Sequence, residues 1–325
     1  MSSPQKIVLK NVIPAGLNRT RLDQALVKLF PDYSRSQLRN WIQAGYVTVN
    51  NQKKILAKET VQTNQVIKII VQLKPSKPWI PQSIPLDIIY EDEAIFVINK
   101  PPGLVVHPGA GIPDHTLANA LLYYDPYLAV IPRAGMIHRL DRDTCGLLII
   151  ARTLIAYLNL TNAMKMRQIT REYEAIVKGI LISGQVISAP IGRHPTNRTR
   201  MAVVASGGRS ATTHFRIVHR YRAHTHIRLR LDTGRTHQIR VHMAHIHHPL
   251  VGDPVYGTHI SSIPHCLSTP LKTALRALHR QALYASTLRF IHPITQQPME
   301  CHTPLPKDMV YLIQCLNDDE QHHVK

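Results

Sequence analysis

Residues 138–152 read HRLDRDTCGLLIIAR. Charges crowd the first half, whereas Leu147 to Ala151 is wholly apolar. A short apolar run of this kind reads as a strand buried on both faces, with HRLDRD as the loop at its mouth. A loop carboxylate at the edge of a core strand is a common catalytic position and an equally common structural ion pair. Arg139 and Arg142 are expected to keep Asp141 ionised, because an opposite charge within about 4–6 Å lowers a carboxylate pKa by roughly 1–3 units. An anionic carboxylate can act as a nucleophile and is a poor general acid.

Strand-like runs recur on either side of this stretch: DIIYEDEAIFVINKP (87–101), REYEAIVKGIL (171–181), TTHFRIVHRY (212–221) and HIRLRLDTG (226–234). Helical patterns are HTLANALLYY (115–124) and TLIAYLNLTNAMK (153–165). Strands outnumber helices without a regular βαβ rhythm. The expected class is α+β, with a mixed, mostly antiparallel sheet.

KPSKPWIPQSIP (74–85) is too rich in proline for a continuous helix or central strand. As a linker it separates a leading module, 1–73, from a main domain, 86–325. In the module, Leu22, Ala25, Leu26 and Leu29 fall at helical spacing. A second helix, SRSQLRNWIQAG (34–45), is expected to start at Asp32 or Ser34 and end at Gly45. Two strand signals follow, YVTVNNQKK (46–54), with an Asn-Asn turn, and VIKIIVQL (66–73). This order, with Ser34-Arg35-x-x-Leu38 and Ala44-Gly45-x-Val47-x-Val49-Asn50, resembles an S4 RNA-binding domain. The resemblance implies RNA contacts from Arg21, Arg35 and Arg39 in the helices. The alternative is an unrelated small α+β cap with surface arginines.

Over 325 residues, 39 Lys+Arg against 20 Asp+Glu give a formal charge of +19. So large an excess, spread through folded-looking sequence, favours a polyanionic partner, nucleic acid before membrane. No apolar run approaches the ~20 residues of a membrane span, and MSSPQKIVLK lacks a signal core. Cys145, Cys266, Cys301 and Cys315 form no CxxC and read as reduced thiols of a cytoplasmic protein. HMAHIHHP (242–249) invites a metal reading, but zinc sites usually recruit Cys or carboxylate at characteristic spacing. No metal and no cofactor are expected.

Two further segments carry polar groups that could do chemistry. In REYEAIV, alternation puts Tyr173 on one face with Ala175 and Val177, its ring inward; a core tyrosine with a hydroxyl to satisfy fits this equally. In TGRTHQIRVH (233–242), Gly234 permits a tight turn and Thr236 is the expected cap of a helix. Ile239 and Met243, four apart, would face the core and project His237 and Arg240 elsewhere.

HRLDRDTCGLLIIAR resembles the catalytic motif of the RluA-type pseudouridine synthases. NKPPGLVVHPG (99–109), REYEAIVKG (171–179) and TGRTHQIRVHMAHIHHPLVGDPVYG (233–257) are similar to the same family, in its order. IGRHPTNRTRMAVVASGGRSATTHFRIV (191–218) is similar to one branch, the RluD enzymes, which modify the helix 69 stem-loop of large-subunit ribosomal RNA. The resemblance implies that Asp141 is the catalytic aspartate, acting at C1′ or C6 of the uridine or along a glycal route. It implies that Tyr173 stacks on the uracil, and that Arg240, or alternatively Arg235, pairs with Asp141. A stacked uridine must be flipped out at a cost of a few kcal/mol, and Arg139 would fill the gap. His107, in GLVVHPG, would line the RNA side; a structural turn histidine is the alternative. The implied partner of a monomeric enzyme is 23S rRNA, free or within the 50S subunit.

Departures from the family pattern are Cys145, where Ser or Thr is usual, and His115, where Gly is common. The segment from Thr258 to Thr273 reads as a variable loop. The rival readings are a sister synthase for other 23S or tRNA uridines, and a non-catalytic RNA-binding or ribosome-assembly protein. A glycoside or nucleoside hydrolase would need a second carboxylate about 5–10 Å from the first, for which Asp143 is the candidate by sequence.

Overall fold

The computed structural model describes residues 6–31, 33, 35–72, 79–109, 111–197, 199–257 and 266–321. The chain divides into two compact units, Met1–Pro78 and Trp79–Lys325. In the first, β1 (Lys6–Val12), β2 (Val47–Val49), β3 (Gln52–Lys54) and β4 (Val66–Gln72) form a sheet in the order β1–β4–β2–β3. Leu22 and Leu26 of α1 (Leu22–Leu29) and Leu38 and Ile42 of α2 (Arg35–Gln43) share a core with Val47, Ile67 and Ile69 of that sheet. Asn50 and Asn51 both take left-handed backbone, φ 48° and 64°, as a two-residue hairpin turn requires. The expected start of α2 at Asp32 or Ser34 lies outside the described residues. Strand β1 was not foreseen, and Arg21 precedes α1 instead of lying within it.

Much of the proline-rich segment belongs to the second unit. Trp79 packs on its main core, and Asn119 holds the chain by donating to Ile80 O at 2.8 Å and accepting from Gln82 N at 3.0 Å.

The sheet of the second unit contains β5 (Ile88–Glu91), β6 (Ile95–Lys100), β7 (Cys145–Ala151), β8 (Thr170–Lys178), β9 (Gln185–Ser188), β12 (Thr212–Arg220), β13 (His224–Leu231), β14 (Leu283–Ile291) and β15 (Pro298–His302). Its order is β5–β6–β7–β14–β8–β13–β12–β9, with β15 on β14. β10 (Ile191–Arg193) and β11 (Met201–Val203) make a separate ribbon. Only β7 and β14 pair in parallel among the described strands, so the sheet is mostly antiparallel, as expected.

β7 is buried on both faces along its whole length. Leu147 and Ile149 pack with Ala156 and Leu160 of α4 (Leu154–Lys165). On the same side, Cys145, Ile176 and Tyr284 meet α6 (Thr269–Ala277) and α7 (Lys307–Gln321). On the opposite side, Leu148, Ile150, Tyr173 and Ala175 pack with α3 (Leu117–Tyr124) and with Ile239 and Met243 of α5 (Gln238–His245). The reading of 258–273 as a loop is corrected at its end: Thr269 to Thr273 open α6, with Pro270 in the first turn, where its missing N–H is no loss. The rest of that segment up to residue 265 lies outside the described residues.

Gly146 makes the parallel joint between β7 and β14. It sits at φ +113°, and a Cβ there would lie 2.3 Å from Ala285 O. Gly146→Ala combines backbone strain with a clash against backbone, so it should destabilise the second unit by well over ~1 kcal/mol. Denaturant unfolding of the purified variant measures this directly; an unchanged midpoint would show that the joint is not tight.

Candidate active site

The loop before β7 is held from below. Lys100, at the end of β6, is fully buried, and its ammonium donates to Pro101 O at 2.7 Å, Leu104 O at 2.9 Å and Arg142 O at 2.8 Å. All three donors are used, which is what a buried ammonium requires. Burial pushes its pKa down to about 8. The lysine thereby ties the Pro-Pro-Gly turn of NKPPG to the loop that carries Asp141. Thr144 N donates back to Asp141 O at 3.2 Å to close the turn.

The Asp141 carboxylate is paired with Arg240, Nη1 to Oδ2 at 3.2 Å, with 17% of the Asp141 side chain exposed. Neither flanking arginine pairs with it. Arg142 turns outward and bonds Asp143 at 3.1 Å, and Arg139 is exposed. Asp143 is thus engaged with Arg142 and does not line the cavity. Arg240 is fixed by Asp253, whose buried carboxylate takes Nε at 2.7 Å and Nη2 at 2.9 Å. Burial opposes both charges. The bidentate bond more than offsets it, raising the Arg240 pKa and lowering that of Asp253. Tyr256 adds its ring face, 5.0 Å from the guanidinium carbon.

The turn that delivers Arg240 differs from the one expected. Thr236 does not cap α5; the residue at that position is His237, in left-handed backbone (φ 56°) and without a capping bond. Gln238 holds the loop instead: its amide accepts from Thr233 Oγ1 and Arg235 N, and donates to Thr212 O and Thr213 Oγ1. Gly234 has no left-handed φ, and its role is close approach, since a Cβ would come within 2.9 Å of Arg171 Nη1.

Asp141, Tyr173, Arg240, Arg139 and Arg235 line one cavity of about 510 Å³, within the size range of small-molecule sites. Tyr173 is buried, and burial raises its pKa. Arg235 bonds Ser210 O at 3.1 Å, so the arginine that reaches Asp141 is Arg240. His107 is half-buried and stands outside the cavity lining; burial lowers its pKa, with Arg139 and Arg133 adding to the effect. In the first unit, Arg21 and Arg35 both bind the buried Asp23, at 3.1 and 2.9 Å, while Arg39 is exposed. Of the clustered histidines, His242 is bonded to Thr213 and Ala189, and His248 to Lys178 O. These two serve the fold. Lys100, Gln238 and Asp253 were not foreseen, although all three lie inside motifs quoted above.

His138 is buried in the cavity wall. Burial, with Arg171 and Arg133 nearby, pushes its pKa down to about 3. An unfolded chain takes up this proton near pH 6.5, whereas the folded chain refuses it until about pH 3. Stability therefore falls as pH drops through that window, by up to a few kcal/mol. Unfolding free energies from pH 7 to 4 should show this acid slope, to which buried His224, with its pKa lowered to about 4, also contributes. His138→Gln should reduce the slope by the share of one proton; equal slopes would place that proton uptake elsewhere.

The chain matches the model of RNA pseudouridylate synthases over residues 94–245 and that of the S4 domain over residues 20–67. It is 51% identical over 317 residues to the ribosomal large subunit pseudouridine synthase D of Yersinia pestis, covering 98% of this chain and 97% of that one. Against the protein of the same name from Escherichia coli strain K12, identity is 50% over 319 residues, with the same coverage. Among solved structures, human RNA pseudouridylate synthase domain containing 1 aligns with a TM-score of 0.53 and 26% identity, over 73% of this chain and 96% of that one. Human RNA pseudouridylate synthase domain containing 4 shares the fold, with a TM-score of 0.55 and 23% identity over 71% and 93%. With identity near one half along almost its whole length, the chain belongs to the family of RNA pseudouridine synthases and carries an S4 domain ahead of the synthase domain.

Proposed function

We propose that this isomerase converts uridine to pseudouridine in the helix 69 stem-loop of 23S rRNA, with Asp141 attacking the flipped nucleotide. The observation that carries the reading is the Asp141 carboxylate, held at 3.2 Å by a buried arginine at a cavity shared with Tyr173. A binding module has no use for such a group. The reaction detaches uracil from C1′ and rejoins it through C5, with no redox change and no transferred group, so it asks nothing of a metal or cofactor. Arg240 positions Asp141, Tyr173 packs on the base, and Arg139, exposed at the rim, takes the place of the flipped base. The large-subunit target rests on the names of the relatives that match along 97% of their length. The S4 arginines and the excess of +19 charges supply affinity for the phosphate backbone, in the cytoplasm and as a monomer.

The test uses 23S rRNA tritiated at uridine C5. Wild type should release label, and the new pseudouridines should map to the helix 69 loop. Asp141→Asn should bind RNA within about twofold of wild type yet lose roughly 10⁴-fold or more in rate. Label release by Asp141→Asn would remove the aspartate from the mechanism, and pseudouridines mapping only elsewhere would assign the chain to a sister activity.

RNA affinity should fall about 10³-fold between 50 and 200 mM salt if some six phosphates are neutralised. Arg39→Ala should weaken binding and lower the salt slope by about one unit, leaving the rate at saturating RNA unchanged. An unaltered slope would take Arg39 out of the interface.

A further inference from the structure

Two buried donors in the cavity wall have no acceptor within the protein. Arg171 precedes Tyr173 by two residues on the same face of β8 and is 7% exposed. It lines the cavity, and its Nε has no hydrogen-bond partner. Gly234 lets the guanidinium lie against bare backbone. His138, also 7% exposed, lines the same cavity. Its Nε2 accepts from Ile149 N at 3.4 Å, which assigns the ring proton to Nδ1. That Nδ1 has no partner either. A buried donor left unmet costs about 1–3 kcal/mol, and both of these belong to side chains that line one cavity.

We propose that Arg171 and His138 form a seat for O4 of the flipped uracil, reading the base as uracil and receiving charge as the chemistry proceeds. The inference rests on the reading above, in which the uridine enters beside Asp141 and Tyr173. Depth favours the base over a phosphate. Arg133, Arg139 and Arg167 are exposed at the rim and suit the backbone, whereas Arg171 and His138 are buried. Residues two apart on one strand face stand about 6.6 Å apart, so the edge of a ring packed on Tyr173 comes within reach of Arg171. A guanidinium and an Nδ1–H can only donate. They donate to uracil O4 and oppose the 4-amino group of cytosine.

The electron count points to the same oxygen. In attack at C1′, the Asp141 oxygen bonds to C1′ as the C1′–N1 bond breaks, and its electron pair leaves on uracil, spread over N1, O2 and O4. C5 then displaces the carboxylate from C1′, C5 releases its proton and N1 takes one up. Addition of Asp141 at C6 instead pushes the C5–C6 pair toward O4. Either route makes O4 more negative in the transition state, where fixed buried donors act most strongly.

The experiment is a substrate–enzyme cycle. Single-turnover pseudouridine formation, read by nucleoside chromatography, is compared on helix 69 RNA carrying uridine or 4-thiouridine at the target, whose sulfur is a poor acceptor. Wild type should slow at least tenfold on 4-thiouridine and little on 2-thiouridine. Arg171→Gln should slow about 10²-fold on uridine, keep RNA affinity within twofold, and lose less than threefold more on 4-thiouridine. Gly234→Ala displaces only the tip of a flexible side chain and should give a smaller loss with the same loss of coupling. Equal thio effects in wild type and Arg171→Gln would overturn the seat. So would a drop in affinity that a methylphosphonate at the target abolishes, which would make it a phosphate site. If wild type forms no pseudouridine on uridine RNA, the parent reading falls and the seat with it; activity with no thio coupling sinks the seat alone.

Discussion

Arg240 lies in the interior because Asp253, itself wholly buried, takes its guanidinium through two parallel bonds. Desolvating two such charges is expensive, and close geometry with further hydrogen bonds is what offsets it. Both conditions are met, since Val255 N and Tyr256 N also donate to Asp253. The third nitrogen of the fork then faces Asp141. A carboxylate at the mouth of a core strand is thus positioned by a cation that has no freedom to follow it. Lys100 on one side and Gln238 on the other fix the two loops that meet there.

The parts of this arrangement that local sequence encodes were legible. β7 announces itself as an apolar run between charged flanks, the Asn50–Asn51 turn by its residue type, and Tyr173 by alternation along β8. Arg171 shares that alternation and could have been read the same way, as an inward-facing charge in a strand that tolerates none without purpose. Asp253 could not. It stands thirteen residues from Arg240 in a Gly-Asp-Pro sequence that reads as an ordinary turn, and only the tertiary fold brings the two together. The pairing of Asp141 with Arg240 is the one the family resemblance implied, whereas the expectation that Arg139 and Arg142 attend it was misjudged for a related reason. Sequence neighbours compete for a carboxylate only if the loop points them inward, and this loop sends Arg142 to Asp143. Strands β1 and β14 escaped notice because their partners lie far along the chain, at β4 and at β7 and β8, so pairing leaves no short-range mark.

The Lys100 clamp bears on which RNA the protein can use. An ammonium bonded to three carbonyls from two loops makes the floor beneath Asp141 a single stiff piece. If the nucleotide enters beside Asp141, as proposed above, such a floor does not rise to meet it and the distortion falls on the nucleic acid. Each 1.4 kcal/mol needed to unstack and unpair a uridine then lowers the productive fraction about tenfold. Under that rule a uridine in a strained hairpin loop outcompetes the same base in a duplex before any side chain has read it. Selection among the many uridines in a large RNA is in that measure a property of how weakly each is held by its own neighbours.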